Sequence, residues 1–130
     1  MKKLQLTSVL ILLFAITSIA QETRSSWVAL TYGYDYRGHA VFAETFVKNC
    51  EAKDELISKY DNLGPIGKTI ANDMKRKYGN KLVDGTWRTE FFSSMEDYKK
   101  KLAKSKKKIG GINIKNWMTV SAPKTQYSCN

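Results

Sequence analysis

Two runs of β-branched and aromatic residues, Trp27 to Tyr34 and Val41 to Val47, flank the tetrapeptide Asp35-Tyr36-Arg37-Gly38. No other stretch of the chain restricts the fold as much. Asp suits the first position of a type I turn, and Gly suits the left-handed residue that follows such a turn in a hairpin. The spacing predicts a β-hairpin over about residues 27–48. On its first strand Val28, Leu30, Tyr32 and Tyr34 share a face. On the return strand Val41, Ala43, Thr45 and Val47 alternate with Phe42, Glu44 and Phe46.

Helical periodicity takes over after the hairpin. Asp54 is placed to cap a short helix carrying Leu56, Ile57, Tyr60 and Leu63. Gly64-Pro65 interrupts it, and a second helix is expected from Pro65 to Tyr78, with Ile66, Ile70 and Met74 repeating at every fourth position. Thr86 to Phe92 reads as a third strand, with Trp87, Thr89 and Phe91 opposite Arg88 and Glu90. Ser93 with Glu96 forms a capping box for a helix from about Ser94 to Lys108, which Gly110-Gly111 stops. The alternation of Ile112, Ile114, Asn116, Met118 and Val120 predicts a fourth strand, and Pro123 to Asn130 is a polar tail. The order is β-β-α-α-β-α-β. It predicts a small single α+β domain: a mostly antiparallel four-stranded sheet with its helices packed on one face.

Residues 1–20 stand apart from this pattern. Lys2 and Lys3 precede an uncharged run from Thr7 to Ala20, and Ser18-Ile19-Ala20 ends it with small residues at the cleavage positions. This is the pattern of a secretory signal peptide. The expectation is an exported domain of residues 21–130, in a periplasm or outside the cell. Such a compartment favours disulfides, and Cys50 and Cys129 are the only cysteines, so they are expected to pair.

The 130 residues include one His and two Cys, too few for the usual zinc or haem ligand sets. No metal and no cofactor is expected. C-x-x-C and G-x-S-x-G motifs are absent. Gly67-Lys68-Thr69 imitates the end of a phosphate-binding loop, but Asn62 stands where that loop needs Gly. It is expected to be the first turn of the second helix.

Charge offers the first functional candidate. Lys and Arg number 22 against 12 Asp and Glu, a net charge of +10. The surplus is uneven: seven of the ten residues from Lys99 to Lys108 are lysine, namely Lys99, Lys100, Lys101, Lys104, Lys106, Lys107 and Lys108. A helix bearing them presents a face for an anionic partner, a polyanion or an acidic protein. It equally suits a solvated face that keeps the protein soluble. The excess of Lys over Arg argues against sequence-specific nucleic-acid binding. The expected function is a non-enzymatic binding domain. The alternative is a small secreted, ribonuclease-like hydrolase using His39 with Glu44 or Glu90, and Arg88 to hold phosphate. His39 and Glu44 differ by an odd offset, which sets them on opposite faces of an unbroken strand. Tyr32, Tyr34 and Tyr36 are the last candidates: a stacking platform, or hairpin core with Tyr36 exposed in the turn.

Overall fold

The computed structural model describes residues 23–53 and 63–129. The expected signal peptide and most of the helix that Asp54 would cap lie outside these residues.

A two-residue strand, β1 (Thr23–Arg24), precedes the long strand β2 (Trp27–Tyr34). The chain turns and returns as β3 (His39–Lys48), then as the short β4 (Ala52–Lys53), which closes on β1. β2 and β3 pair antiparallel from Trp27↔Val47 to Tyr34↔Ala40. The turn chemistry is the one the sequence predicts. Gly38 N–H donates to the Asp35 carbonyl at 3.1 Å, Asp35 N–H donates to the His39 carbonyl at 3.0 Å, and Gly38 takes φ 82°.

Helix α1 (Pro65–Tyr78) follows, with Pro65 in its first turn. Strand β5 (Thr86–Phe92) pairs antiparallel with the free side of β2. Helix α2 (Met95–Ser105) starts at Ser94, whose hydroxyl accepts from Asp97 N–H at 3.2 Å. The cap therefore sits one residue beyond the expected Ser93, and the helix ends before Lys108. The expected fourth strand is broken. β6 (Lys108–Ile109) and β7 (Ile112–Asn113) form a tight hairpin around Gly110 and Gly111, both with positive φ. Ile112 pairs with Ile109 there, and only β8 (Asn116–Thr119) reaches the main sheet. The tail contributes β9 (Gln126–Ser128).

The main sheet runs β5-β2-β3-β8, with β9 sharing the outer side of β3. Four positions are filled by five strands. β8 and β9 lie parallel to β3, so the sheet is mixed, with one antiparallel half and one parallel edge.

The helices lie on opposite faces, not on one as expected. α1 buries Ile70 and Met74 among Trp27, Ala29, Val41, Ala43, Val47 and Phe91. α2 buries Tyr98 among Val28, Leu30, Tyr32 and Phe42 on the other side. Topology explains this. β3, β5 and β8 all run one way, so α1 and α2 are crossovers between parallel strands. The first moves from β3 to the β5 edge, and the second moves back to the β8 edge. Two crossovers of the same hand travelling in opposite directions must cover opposite faces. β2 is consequently buried on both sides along seven of its eight residues. An unbroken apolar run is what a strand between two layers requires. Leu30, fully buried at its centre, would cost about 2–5 kcal/mol if cut back to Ala.

The Cys50–Cys129 disulfide forms as expected, across a separation of 79 positions with Cα atoms 5.2 Å apart. It pins β9 beside the end of β3. Two tyrosines bolt α1 to the same C-terminal segment. Tyr127 donates to Asp73 Oδ2 at 2.7 Å, and Tyr78 donates to the Ser121 carbonyl at 2.6 Å.

Candidate functional site

Asp35 is buried, and its carboxylate accepts hydrogen bonds from four groups of the fold. Its Oδ1 accepts from the N–H groups of Arg37 (3.0 Å) and His39 (3.1 Å). Its Oδ2 accepts from the Arg37 guanidinium (3.1 Å) and from Val83 N–H (3.0 Å). Burial alone would push this carboxyl up, but the donors from Val83, His39 and Arg37 outweigh it and hold it below the ordinary carboxylate range. The residue expected only to start a turn therefore also ties the hairpin tip to the segment after α1. It is a structural clasp, with every lone pair directed at a donor of the fold.

The four residues of the hydrolase alternative are not assembled. Glu44 and Glu90 both stand opposite Leu30, and Arg88 stands opposite Tyr32, so these three share the α2 face of the sheet. His39 precedes Val41 by two positions and belongs to the α1 face. Glu90 is buried beneath α2, with Lys101 Nζ 3.5 Å from its carboxylate and Tyr32 hydrogen-bonded to it. Burial, then the Glu90 charge, raises Tyr32 well above the ordinary phenol range. Tyr98, on the same face, is pushed up to about 12 by burial and by Glu44. Neutral tyrosines and a salt-bridged glutamate suit a polar seam between helix and sheet.

The remaining sequence candidates resolve simply. Tyr32 is core, against Phe42 at 6.3 Å between rings, and Tyr36 is exposed in the turn. Gly67-Lys68-Thr69 lies in the first turn of α1, where Thr69 Oγ1 donates back to the Pro65 carbonyl. Gly67 packs against the ring of Phe91. Among the described residues no three His, Cys, Asp or Glu converge as a metal site, and no helix is long and apolar enough to cross a membrane.

The lysine run is split across three elements. Lys99, Lys100, Lys101 and Lys104 project from α2, Lys106 and Lys107 form the turn after it, and Lys108 opens β6. Lys100 pairs with Glu96 at 3.4 Å on the exposed helix surface, and Lys101 is drawn inward to Glu90. Among the described residues, Lys99, Lys104, Lys107 and Lys108 enter no ion pair. Lys106 sits over the indole of Trp117, 4.1 Å from the ring. Trp117 keeps 48% of its surface exposed and touches Phe42 with its edge. The backbone holds this corner together. Ile114 N–H donates to the Lys107 carbonyl at 2.9 Å, and Lys115 N–H donates to the Gly38 carbonyl at 2.8 Å.

The end of α2 thus abuts β8, and the basic surface continues from the helix onto an exposed aromatic. Sequence reasoning missed Trp117. Its only signal was an aromatic in a polar context shortly after the lysine run. Two cavities open on the sheet, one of them beside Trp117. One of about 140 Å³ is lined by His39, Lys81, Leu82, Trp117 and Met118, among others. A wider groove of about 500 Å³ lies at the other end of the sheet, walled by Trp27, Phe46 and Met95. Comparison with protein-family models, with curated proteins and with solved structures finds no match.

Proposed function

We propose that this chain is an exported, non-enzymatic binding domain that captures an anionic partner on the basic surface running from α2 to β8. One observation carries the proposal: four lysines without an ion-pair partner among the described residues belong to the same run as a fifth that is set over the half-exposed Trp117. A face meant only for solubility would intersperse acids with its lysines. Here the acids of α2, Glu96 and Asp97, are confined to its first turn, where they favour the helix dipole. The Cys50–Cys129 bridge suits an oxidising compartment, as the signal-peptide pattern of residues 1–20 does.

Attraction to a lysine surface is long-range and salt-sensitive. Lys→Glu changes at Lys100, Lys104 and Lys107, all exposed, should leave folding intact and make the protein leave heparin at distinctly lower salt. Equal retention of variant and parent would remove the proposal.

A further inference from the structure

Strand β8, whose Trp117 lies under Lys106, has its outer edge beside the basic surface. Asn116 and Val120 donate their N–H groups inward, to the carbonyls of Gly38 (3.2 Å) and Phe42 (2.8 Å). Backbone groups alternate sides along a strand, so those of Trp117 and Thr119 point away from β3. Among the described residues no strand pairs with that side. All four residues of β8 are exposed, and none is charged or proline. An exposed edge that carries neither charge nor proline can accept another strand.

The two sides of β8 differ in chemistry. Trp117 pairs with Ala40, which places it on the α2 face beside Lys106. Met118 pairs with Val41 on the α1 face, and with His39 and Leu82 it lines the cavity of about 140 Å³. A strand laid along β8 would point alternate side chains at the lysines and toward this apolar cavity.

We infer that β8 takes an extended acidic peptide by strand addition, with Asp or Glu alternating with an apolar residue. The inference rests on the basic-face function proposed above and names the partner as a polypeptide. A second copy of this chain carries the same positive surplus, and pairing two β8 edges would bring like charges together. A polynucleotide could use the lysines and stack on Trp117, but it has no strand backbone to pair with Thr119.

The test uses the full purified chain and a labelled peptide alternating Glu with Val, followed by fluorescence anisotropy. Thr119→Pro removes an outward N–H and spares the inward bonds made by Asn116 and Val120. It should weaken the peptide by about threefold to tenfold, the effect of one lost hydrogen bond. N-methylating the peptide's amides should cause a similar loss with the protein untouched, which covers the case of a variant that fails to fold. Lys106→Glu with Lys107→Glu should weaken binding again.

Equal binding of plain and N-methylated peptide overturns strand addition while leaving the basic face standing. So does an oligo-dT strand that binds more tightly than the peptide and ignores Thr119→Pro. A peptide-independent dimer that Thr119→Pro dissolves assigns the edge to a second copy and overturns the inference too. Indifference of the peptide to the two lysine changes, together with unchanged heparin retention, overturns both the inference and the function it rests on.

Discussion

The indole of Trp87 occupies the space a side chain on Gly33 would need. A Cβ built on Gly33 meets three atoms of that ring at 2.6 Å. The two residues are cross-strand partners between β2 and β5, on the face that α1 covers. Gly33 weakens β2 locally, as any glycine in a strand does, and the close approach of the indole is its compensation.

Gly33→Ala should therefore destabilise the protein by about 1–3 kcal/mol, because Trp87 cannot stay where it is. The denaturant midpoint reports the loss. Gly33→Ala combined with Trp87→Leu should lose less than the two changes added together, since the smaller side chain relieves the clash. Full additivity would show that the contact is not the cause.

Acid should loosen the hairpin tip before it loosens the core. The folded Asp35 carboxyl titrates below its unfolded value of about 3.9. Its contribution is fully present above the unfolded value and is lost as pH falls through the lower folded one. Asp35→Asn keeps the shape but turns an amide N–H₂ toward donors. It should cost about 3 kcal/mol at neutral pH and flatten the acid limb of the stability curve. A variant as stable as the parent at pH 7 would deny Asp35 its role as clasp to Val83.

Alkali acts through the buried tyrosines with the opposite sign. Tyr98 titrates at about 12 when folded and at about 10 when unfolded. Stability should hold below about pH 10 and fall as pH rises toward about 12, because the unfolded chain ionises first. Tyr98→Phe should make that fall shallower, with Tyr32 and Tyr127, both raised by burial, supplying what remains. An unchanged slope in Tyr98→Phe would contradict the burial of its hydroxyl.

Reducing the Cys50–Cys129 bridge should lower stability by about 2–4 kcal/mol, since it closes a long loop in the unfolded chain. Amide exchange should quicken first at Tyr127 and Ser128, whose strand is held by β3, by the bridge and by Asp73. If exchange in β2 quickens equally, the bridge stabilises the whole sheet rather than its edge.

Several elements were legible in the sequence because their causes are local. The hairpin turn needs only Asp35 and Gly38 at the right spacing. The start of α1 needs Pro65, and its buried side needs Ile66, Ile70 and Met74 at fourfold spacing. The Cys50–Cys129 pair needs only that no third cysteine compete. The lysines were equally visible, but their surroundings were not. Alternation puts Glu90 on a strand face with Arg88, and only the packing of α2 across that face buries it. Alternation assigns Ile112 to the last strand, yet it turns back to Ile109, because Gly110 and Gly111 permit a tighter hairpin.

The sequence by itself determined the long pieces: the β2–β3 hairpin and its turn, α1, β5, the helix after it, and where positive charge accumulates. These follow from interactions spanning a few residues. Only the tertiary structure decided how the pieces face each other. The hand of the two crossovers sent α1 and α2 to opposite sides of β2. The direction of the second crossover delivered β8 parallel to β3, with Trp117 under Lys106 and an open strand edge beside the lysines. Crossover hand and strand order belong to the whole sheet, so no window of residues records them.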